Sequence, residues 1–215
     1  MPFLLLFAFL LAIQSQFAHG QKVYPELPEQ DYTVYSAVIN EYANCGDTKY
    51  ASRQNQLIFV NTVTEVKTRH GFSFDFVNIP QELNELLPAQ STFQNEPAWK
   101  QFIASIDTSA FTKHTLTRPI KAQCQQTQLW TDAQNAYYFS EQTAPQRGYD
   151  ALQKDYENFG AIVSFSKVAY SNDRSKAVCY YASVRDGLAG SGYILFLERS
   201  GTSWKIAGRA MLWIA

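Results

Sequence analysis

Few side chains in this sequence are suited to acid–base chemistry, and one carboxylate stands out among them. Asp75 lies between Phe74 and Phe76, and an apolar cavity around it would raise its pKa and make it a candidate general base. The alternation of this run, however, predicts that the phenylalanines face inward and the carboxylate faces solvent. The sequence therefore favours an exposed Asp75 over a catalytic one.

Histidine offers no stronger candidate for catalysis or metal binding. After the first twenty residues only His70 and His114 remain, each in a polar surrounding. A Ser-His-Asp triad needs a histidine beside a nucleophile, and no Gly-x-Ser-x-Gly turn is present. Two isolated histidines without a Cys-x-x-Cys pair also fall short of a zinc site. We therefore assign no catalytic residue, expect no metal site and no cofactor, and interpret both histidines as surface residues.

A glycine-rich segment resembles a phosphate-binding loop in composition but not in context. Phosphate loops follow a strand and open a helix whose N-terminal amides hold the phosphate. In this chain a strand-like run follows the glycines, which predicts a hairpin turn or bulge instead. The segment reads Gly187-Leu188-Ala189-Gly190-Ser191-Gly192.

Aromatic side chains make up 15% of the chain and supply the best binding candidates. Periodicity assigns Trp99 and Trp204 to the core. Strict alternation along the last strand-like run puts Ile206, Ala210 and Leu212 on the face of Trp204, and Trp213 on the opposite face. We predict that Tyr180, Tyr193 and Trp213 contact a ligand if one face of the sheet holds one. Core packing against the helices is the alternative for all three.

The three cysteines allow one disulfide and one free thiol. Cys179 lies in a strand-like run, where cysteine behaves as a small apolar core residue. Cys45 and Cys124 lie in polar segments, and we predict that these two form a disulfide. Three unpaired thiols remain the alternative, because spacing alone does not fix pairing.

The first three quarters of the chain predict mostly helices. Asp31 is expected to cap a first helix that Asn44 and Gly46 end, since both residues accept the left-handed conformation. Residues 107–146 show no sustained period and are expected to be mostly loop, with one or two short strands or helical turns. The other predicted elements are a strand Gln56–Glu65, a short alternating run Phe72–Phe76, and helices at Asn78–Leu87, Asn95–Ile106 and Gly148–Phe159.

The last quarter predicts an antiparallel meander of four strands. Short polar spacers separate the runs Ala161–Tyr170, Lys176–Val184, Gly192–Glu198 and Ser203–Ile214. Spacers of this length favour hairpins, because parallel neighbours need a longer crossover. The second and third runs are apolar on both faces and should be central, with helices covering one side. The fold class is therefore α+β, with N-terminal helices packed on a C-terminal sheet that is expected to curve.

The N-terminus has the pattern of a secretory signal. An apolar run from Phe3 to Ile13 precedes Ala18-His19-Gly20, which supplies the small residues that signal peptidase requires. We predict a signal peptide at 1–20, a single α+β domain at 21–215, and a secreted or periplasmic location without a membrane anchor after cleavage. A net charge of −1 and the lack of a Lys/Arg cluster argue against a nucleic-acid partner.

Several of these motifs resemble a group of exported bacterial proteins of unassigned function. The resemblance rests on the N-terminal helix, a Phe159-Gly160 strand with Ser164 and Ser166, a Gly-x-Gly-Tyr motif ending at Tyr193, and closing Trp-Lys-Ile and Trp-Ile motifs. It implies no catalytic residue. The fold is also similar to the cone-shaped proteins of the nuclear-transport-factor and ketosteroid-isomerase type, a fold that hosts both enzymes and binding modules.

These observations favour a non-enzymatic exported module that binds a protein or a small apolar ligand on its sheet. The first alternative is a small isomerase- or hydrolase-like enzyme that uses a lone carboxylate in a sheet-lined pocket. A structural role in the envelope, without a small ligand, is the second alternative. The lining of the largest pocket distinguishes these possibilities.

Overall fold

The computed structural model describes residues 23–67, 97–107, 109, 111–141 and 147–215. Four α-helices and a short 3-10 helix lie within these ranges. The predicted signal peptide, the run at Phe72–Phe76 and the helix at Asn78–Leu87 fall outside the described residues, and so do Asp75 and His70. The helices are α1 (Glu29–Ala43), the 3-10 helix (Thr48–Arg53), α2 (Pro97–Ala104), α3 (Asp132–Phe139) and α4 (Gly148–Asp155).

Seven strands within the described part of the chain form one mixed sheet that does not close into a barrel. The path through the sheet is β2-β1-β3-β5-β6-β7, and the two-residue β4 pairs with β5 beside that path. The strands are β1 (Leu57–Asn61), β2 (Gln126–Trp130), β3 (Phe159–Phe165), β4 (Ala169–Tyr170), β5 (Lys176–Asp186), β6 (Ala189–Ser200) and β7 (Ser203–Ile214).

The antiparallel meander is confirmed, and so is the α+β class. Strand β5 pairs antiparallel with β3 and β6, and β6 pairs antiparallel with β7. As predicted, β5 and β6 lie inside the sheet, and the glycine-rich segment forms their hairpin. Gly201, with φ +64°, occupies the turn between β6 and β7, a conformation that glycine adopts without strain.

The parallel half of the sheet is a finding that the sequence did not predict. Strand β1 pairs parallel with both β2 and β3. Strand β2 lies in the segment expected to be mostly loop. The sequence did not indicate this strand, because its alternating Gln and Thr residues carry too little apolar character. The same segment forms α3, which Thr131 opens with a capping box closed by Gln134.

Helices cover both faces of the sheet, so the prediction that helices cover one side is wrong. On one face, here called face one, α1 packs Val34, Tyr35 and Val38 onto strands β1, β3, β5 and β6. On face two, α2 packs Trp99 and Phe102 over the antiparallel half. The pair α3 and α4 covers the parallel half, where Trp130, Tyr138 and Leu152 pack on β1.

Helix α1 begins before the predicted cap, so Asp31 does not cap it. The residue before the helix is Pro28, and the fully buried Asp31 carboxylate instead reaches across to the turn after β3. One of its oxygens accepts a hydrogen bond from the backbone N–H of Val168 (3.1 Å) and the other from the Tyr170 hydroxyl (3.1 Å). Asp31 therefore joins the start of α1 to the sheet. The other end follows the prediction, since Asn44 adopts φ 49°.

Strand β7 contains two register shifts, which correct its predicted strict alternation. The shifts lie opposite Phe196/Leu197 and Gly192/Tyr193 of β6. An extra residue at each bulge changes which side chains share a face. Ala210 and Leu212 therefore pack on face two rather than with Trp204 and Ile206 on face one.

The predicted disulfide between Cys45 and Cys124 is present, and Cys179 is a buried free thiol. The bridge ties the segment after α1 to the segment that leads into β2. No helix within the described ranges is both long and apolar enough to cross a membrane.

Candidate functional site

The candidate site is not the largest concave surface but a smaller cavity with a mainly apolar lining, of about 320 Å³, on face two, where the sheet changes from parallel to antiparallel pairing. Its floor is formed by the central strands β1, β3 and β5. Trp130 at the end of β2, together with α3 and α4, lines one side, and Trp213 of β7 lies on the other. The cavity thus adjoins the carboxyl ends of parallel strands, where ligands of α/β sheets commonly bind.

Three polar side chains line the floor of this cavity: Asn61, Ser164 and Glu65. Asn61 is the last residue of β1, and its side-chain amide donates a hydrogen bond to the Ser164 hydroxyl of β3 (2.6 Å). Beyond β1, the Glu65 N–H donates to the Phe165 carbonyl (2.7 Å), which returns the chain to the edge of β3. Three hydrogen-bonding groups therefore converge at the ends of neighbouring strands.

Glu65 is the one acidic side chain among the described residues that line the cavity. Burial raises the pKa of its carboxyl group above the ordinary value, while the Lys113 charge and the Ser164 hydroxyl act in the opposite direction. Burial dominates because it removes water that would otherwise solvate the anion. The carboxylate is accordingly a stronger base and a better hydrogen-bond acceptor than a surface glutamate.

The remaining lining is mostly aromatic and aliphatic. Phe139 of α3 and Tyr149 of α4 pack against each other in a tilted arrangement, with ring centroids 4.7 Å apart. Opposite them, Ala182 and Val184 of β5 present small side chains, which leave the space that the cavity occupies. A mainly apolar wall with a few convergent polar groups is the usual composition of a small-molecule site.

Two of the three residues predicted to contact a ligand meet in this cavity. The Trp213 indole N–H donates to the Tyr180 hydroxyl (2.9 Å), and both side chains are buried. This bond fixes the two rings as one unit in the cavity wall. Tyr193 does not join them, because it lies on face one beside Tyr42.

The Gly-x-Gly-Tyr motif has a packing role that involves Trp213. A Cβ atom on Gly192 would lie 2.7 Å from Cδ1 of the indole and closer still to its Nε1. A Cβ atom on Gly190 would lie 3.1 Å from Cζ3 of the same ring. The indole therefore lies flat over two glycines of β6, which places it against the cavity.

The other candidates from the sequence are not brought together. His114 is buried rather than exposed, and its Nδ1 lies 3.0 Å from the Thr112 carbonyl. Within the described ranges, no group of three or more His, Cys, Asp or Glu side chains could hold a metal ion. Glu65 and Asn61 were missed, because a polar residue at the end of a strand has no sequence signature of its own.

Comparison with protein families, with curated proteins and with solved structures found no match for this chain. The resemblance to exported bacterial proteins therefore stays a prediction.

Proposed function

We propose that this protein is a non-enzymatic binding module that takes a small, largely apolar ligand into the face-two cavity. The observation that supports the proposal best is the convergence of Asn61, Ser164 and Glu65 on a cavity whose remaining lining, apart from Asn135, is aromatic and aliphatic. Binding sites of this kind usually enclose roughly 300–1,000 Å³. The cavity, at about 320 Å³, suits a compact ligand of up to three rings.

The polar groups define the part of the ligand that would be oriented. Glu65, when ionised, can only accept hydrogen bonds, whereas the Ser164 hydroxyl can both donate and accept. A ligand with an apolar body and one hydrogen-bonding end would satisfy the floor and bury its remaining surface against the rings. Apolar burial would supply most of the affinity, at about 25 cal/mol per Å².

An exported location fits this proposal. The disulfide between Cys45 and Cys124 is of a kind that persists in oxidising compartments. We therefore propose a secreted or periplasmic module that captures its ligand outside the cytoplasm.

The proposal is tested with N-phenyl-1-naphthylamine, a neutral apolar dye that fluoresces on transfer out of water. We expect saturable binding with a stoichiometry of one. Ala182→Leu fills the floor of the cavity from β5 and should weaken dye binding at least tenfold. The matched control Ala133→Leu places the same side chain at an exposed position of α3, outside the lining of the cavity, and should leave the affinity within twofold of wild type.

Both variants must retain a cooperative thermal transition, because a loosened fold also binds apolar dyes. Equal affinity of the dye for wild type and for a folded Ala182→Leu variant would refute binding in the cavity.

A second candidate function is supported by the position of Glu65. A carboxylate with a raised pKa in a mostly apolar cavity is suited to abstract a proton from carbon. In that case the protein is a small isomerase-like enzyme rather than a binding module.

The two functions are separated by Glu65→Gln and the substrate 5-nitrobenzisoxazole. Removal of its carbon-bound proton by a carboxylate breaks the N–O bond and yields a coloured cyanophenolate. An enzyme of this kind would open the isoxazole ring faster than acetate does at an equal concentration. The Glu65→Gln variant would lose this rate acceleration. A binding module would show no acceleration in either form.

A further inference from the structure

A second concave surface lies on face one, beyond the C-terminal end of α1. It encloses about 860 Å³ between the 3-10 helix, the β5–β6 hairpin and the middle of β7. Three tyrosines and three arginines dominate its chemistry, and we call it the tyrosine–arginine groove. Its defining residues are Tyr42, Tyr181, Tyr193, Arg53, Arg185 and Arg209.

The tyrosines form a continuous row along the groove. The Tyr42 ring stacks on Tyr181 with centroids 4.8 Å apart and an angle of 22° between the planes. The Tyr42 ring also lies 6.4 Å from the ring of Tyr193, which pairs with Tyr181 across β5 and β6. Tyrosine rings offer an apolar face together with a polar tip, and this row therefore suits a ligand that has both flat and hydroxylated surfaces.

The arginines come from three separate elements and converge on this row. The Arg209 guanidinium lies 5.7 Å from the centroid of the Tyr193 ring. Burial raises the pKa of the Tyr181 hydroxyl, and the charge of the nearby Arg185 opposes that rise. Arg53 lies 4.9 Å from the centroid of Tyr50, which also lines the groove.

These guanidinium groups have no acidic partner among the residues that the structure describes. None of the three makes an ion pair within 4.0 Å, and Glu41 is the one described acidic side chain in the lining. Arginine binds carboxylate and sulfate oxygens through two parallel hydrogen bonds. The groove therefore offers unpaired positive charge beside aromatic faces.

The Tyr42 hydroxyl is the second feature that points to a ligand. Its oxygen is buried, and no hydrogen-bond partner lies within reach among the described residues. Burial raises the pKa of this hydroxyl, and Arg209 opposes the rise through a side-chain interaction and through its charge, although the two groups do not reach the geometry of a hydrogen bond. A buried polar group without a partner is unfavourable, and a ligand hydroxyl that reached this oxygen would supply the missing hydrogen bond.

We propose that the tyrosine–arginine groove binds an acidic oligosaccharide, with sugar rings on the tyrosine row and acidic groups paired with Arg185 and Arg209. The volume is large enough for more than one ring, and the separated arginines match charges that repeat along a chain. A nucleic acid, which carries a charge at every nucleotide, is the less favoured occupant because the sequence has no Lys/Arg cluster.

The test is isothermal titration calorimetry of the full mature chain with two ligands, trigalacturonate and a heparin-derived tetrasaccharide. Trigalacturonate carries carboxylates only, whereas the heparin fragment also carries sulfates, so the comparison shows which acidic group is recognised. At least one should bind, and its affinity should fall as salt increases. The methyl ester of trigalacturonate keeps the rings without the charge and should bind at least tenfold more weakly than the acid.

Arg209→Gln and Arg185→Gln should each weaken binding of the better ligand at least tenfold. Both side chains are exposed, so the fold should be retained. Arg199→Gln removes an exposed arginine of β6 outside the groove and should change the affinity less than twofold.

Absence of binding by both acidic ligands at millimolar concentration would overturn the proposal. Unchanged affinity in folded Arg185→Gln and Arg209→Gln variants would do the same. Tighter binding of a thymidine hexanucleotide than of either saccharide would assign the groove to single-stranded nucleic acid instead.

Discussion

Single residues carry the polar chemistry of this molecule, and Asp31 shows how burial changes their properties. Its carboxyl group is fully buried, and desolvation raises its pKa from 3.8 to about 6, against the hydrogen bonds from Val168 and Tyr170 and the charges of Lys167 and His114. The folded protein therefore keeps a proton on Asp31 at pH values where the unfolded chain has lost it. Between about pH 4 and pH 6 the free energy of unfolding should fall as pH rises, and it should level off above that range.

Asp31→Asn is the variant that isolates this effect. An asparagine can accept from the Val168 N–H and donate to the Tyr170 hydroxyl, but it cannot ionise. A shift from 3.8 to about 6 corresponds to about 3 kcal/mol. The free energy of unfolding is measured by urea denaturation for both proteins at pH 4 and at pH 7. Between these two pH values, Asp31→Asn should gain stability relative to wild type by up to about 3 kcal/mol.

Other titrating groups, such as Glu65, are present in both proteins. Their contributions to the free energy of unfolding therefore cancel when the variant is compared with wild type. A stability difference that stays constant across the pH range would show that Asp31 does not titrate as described.

Gly192 is the second residue whose environment makes a sharp prediction. A methyl group at Gly192 would overlap the Trp213 indole, which is packed in the core and cannot move aside easily. Gly192→Ala should therefore destabilise the fold by about 3 kcal/mol, at the upper end for overpacking. Gly187→Ala is the matched control, because a Cβ there meets nothing within 4 Å, and it should change stability by less than about 0.5 kcal/mol.

The readout is the midpoint of chemical denaturation together with the fluorescence of the tryptophans. If both alanine variants unfold at the same denaturant concentration as wild type, the indole does not lie on Gly192 as described.

At the scale of elements, the sequence was most informative where local pattern and topology agree. The β5–β6–β7 meander could be predicted because turn residues separate apolar runs that pair with their chain neighbours. Strand β1 was predicted as a strand, but its parallel partners lie more than sixty residues away in the chain. No local signal specifies such a pairing. The cavity lies between these two halves, so its existence could not be predicted either.

The register shifts of β7 show a similar limit. Alternation predicted that Trp213 lies opposite Trp204, and the structure places them on opposite faces. The side chains between them change faces at two bulges, which hydrophobic alternation alone does not reveal. Tyr193 lies on the other face for a simpler reason: it pairs with Tyr181, whereas Tyr180 pairs with Ile194, so alternation along β6 separates Tyr193 from Tyr180 and Trp213.

The disulfide is the element-scale feature with the largest expected energy. It closes a loop with a sequence separation of 79, which in the chain-entropy model corresponds to about 4 kcal/mol. The double variant Cys45→Ser/Cys124→Ser should lose stability by up to about this amount, and reduction of the wild type should have a similar effect. Equal unfolding midpoints for the oxidised and reduced wild type would contradict this role.

On the scale of the whole molecule, one sheet separates two surfaces with different chemistry. Face two holds an apolar cavity with a single described carboxylate, whereas face one holds three arginines beside a tyrosine row. A net charge of −1 conceals this difference, because arginines distant in sequence meet only after folding. The two proposed ligands therefore differ in charge and polarity, and binding at one surface can be tested while the other is left intact.

The most direct test of the cavity as a ligand site is the set of intermolecular nuclear Overhauser effects between bound N-phenyl-1-naphthylamine and the isotope-labelled protein. We predict contacts from the dye protons to the Trp213 indole, the Tyr149 ring and the Ala182 methyl group. Contacts confined to Tyr42 and Tyr193 on face one, or no contacts to any cavity side chain at saturating dye, would contradict it.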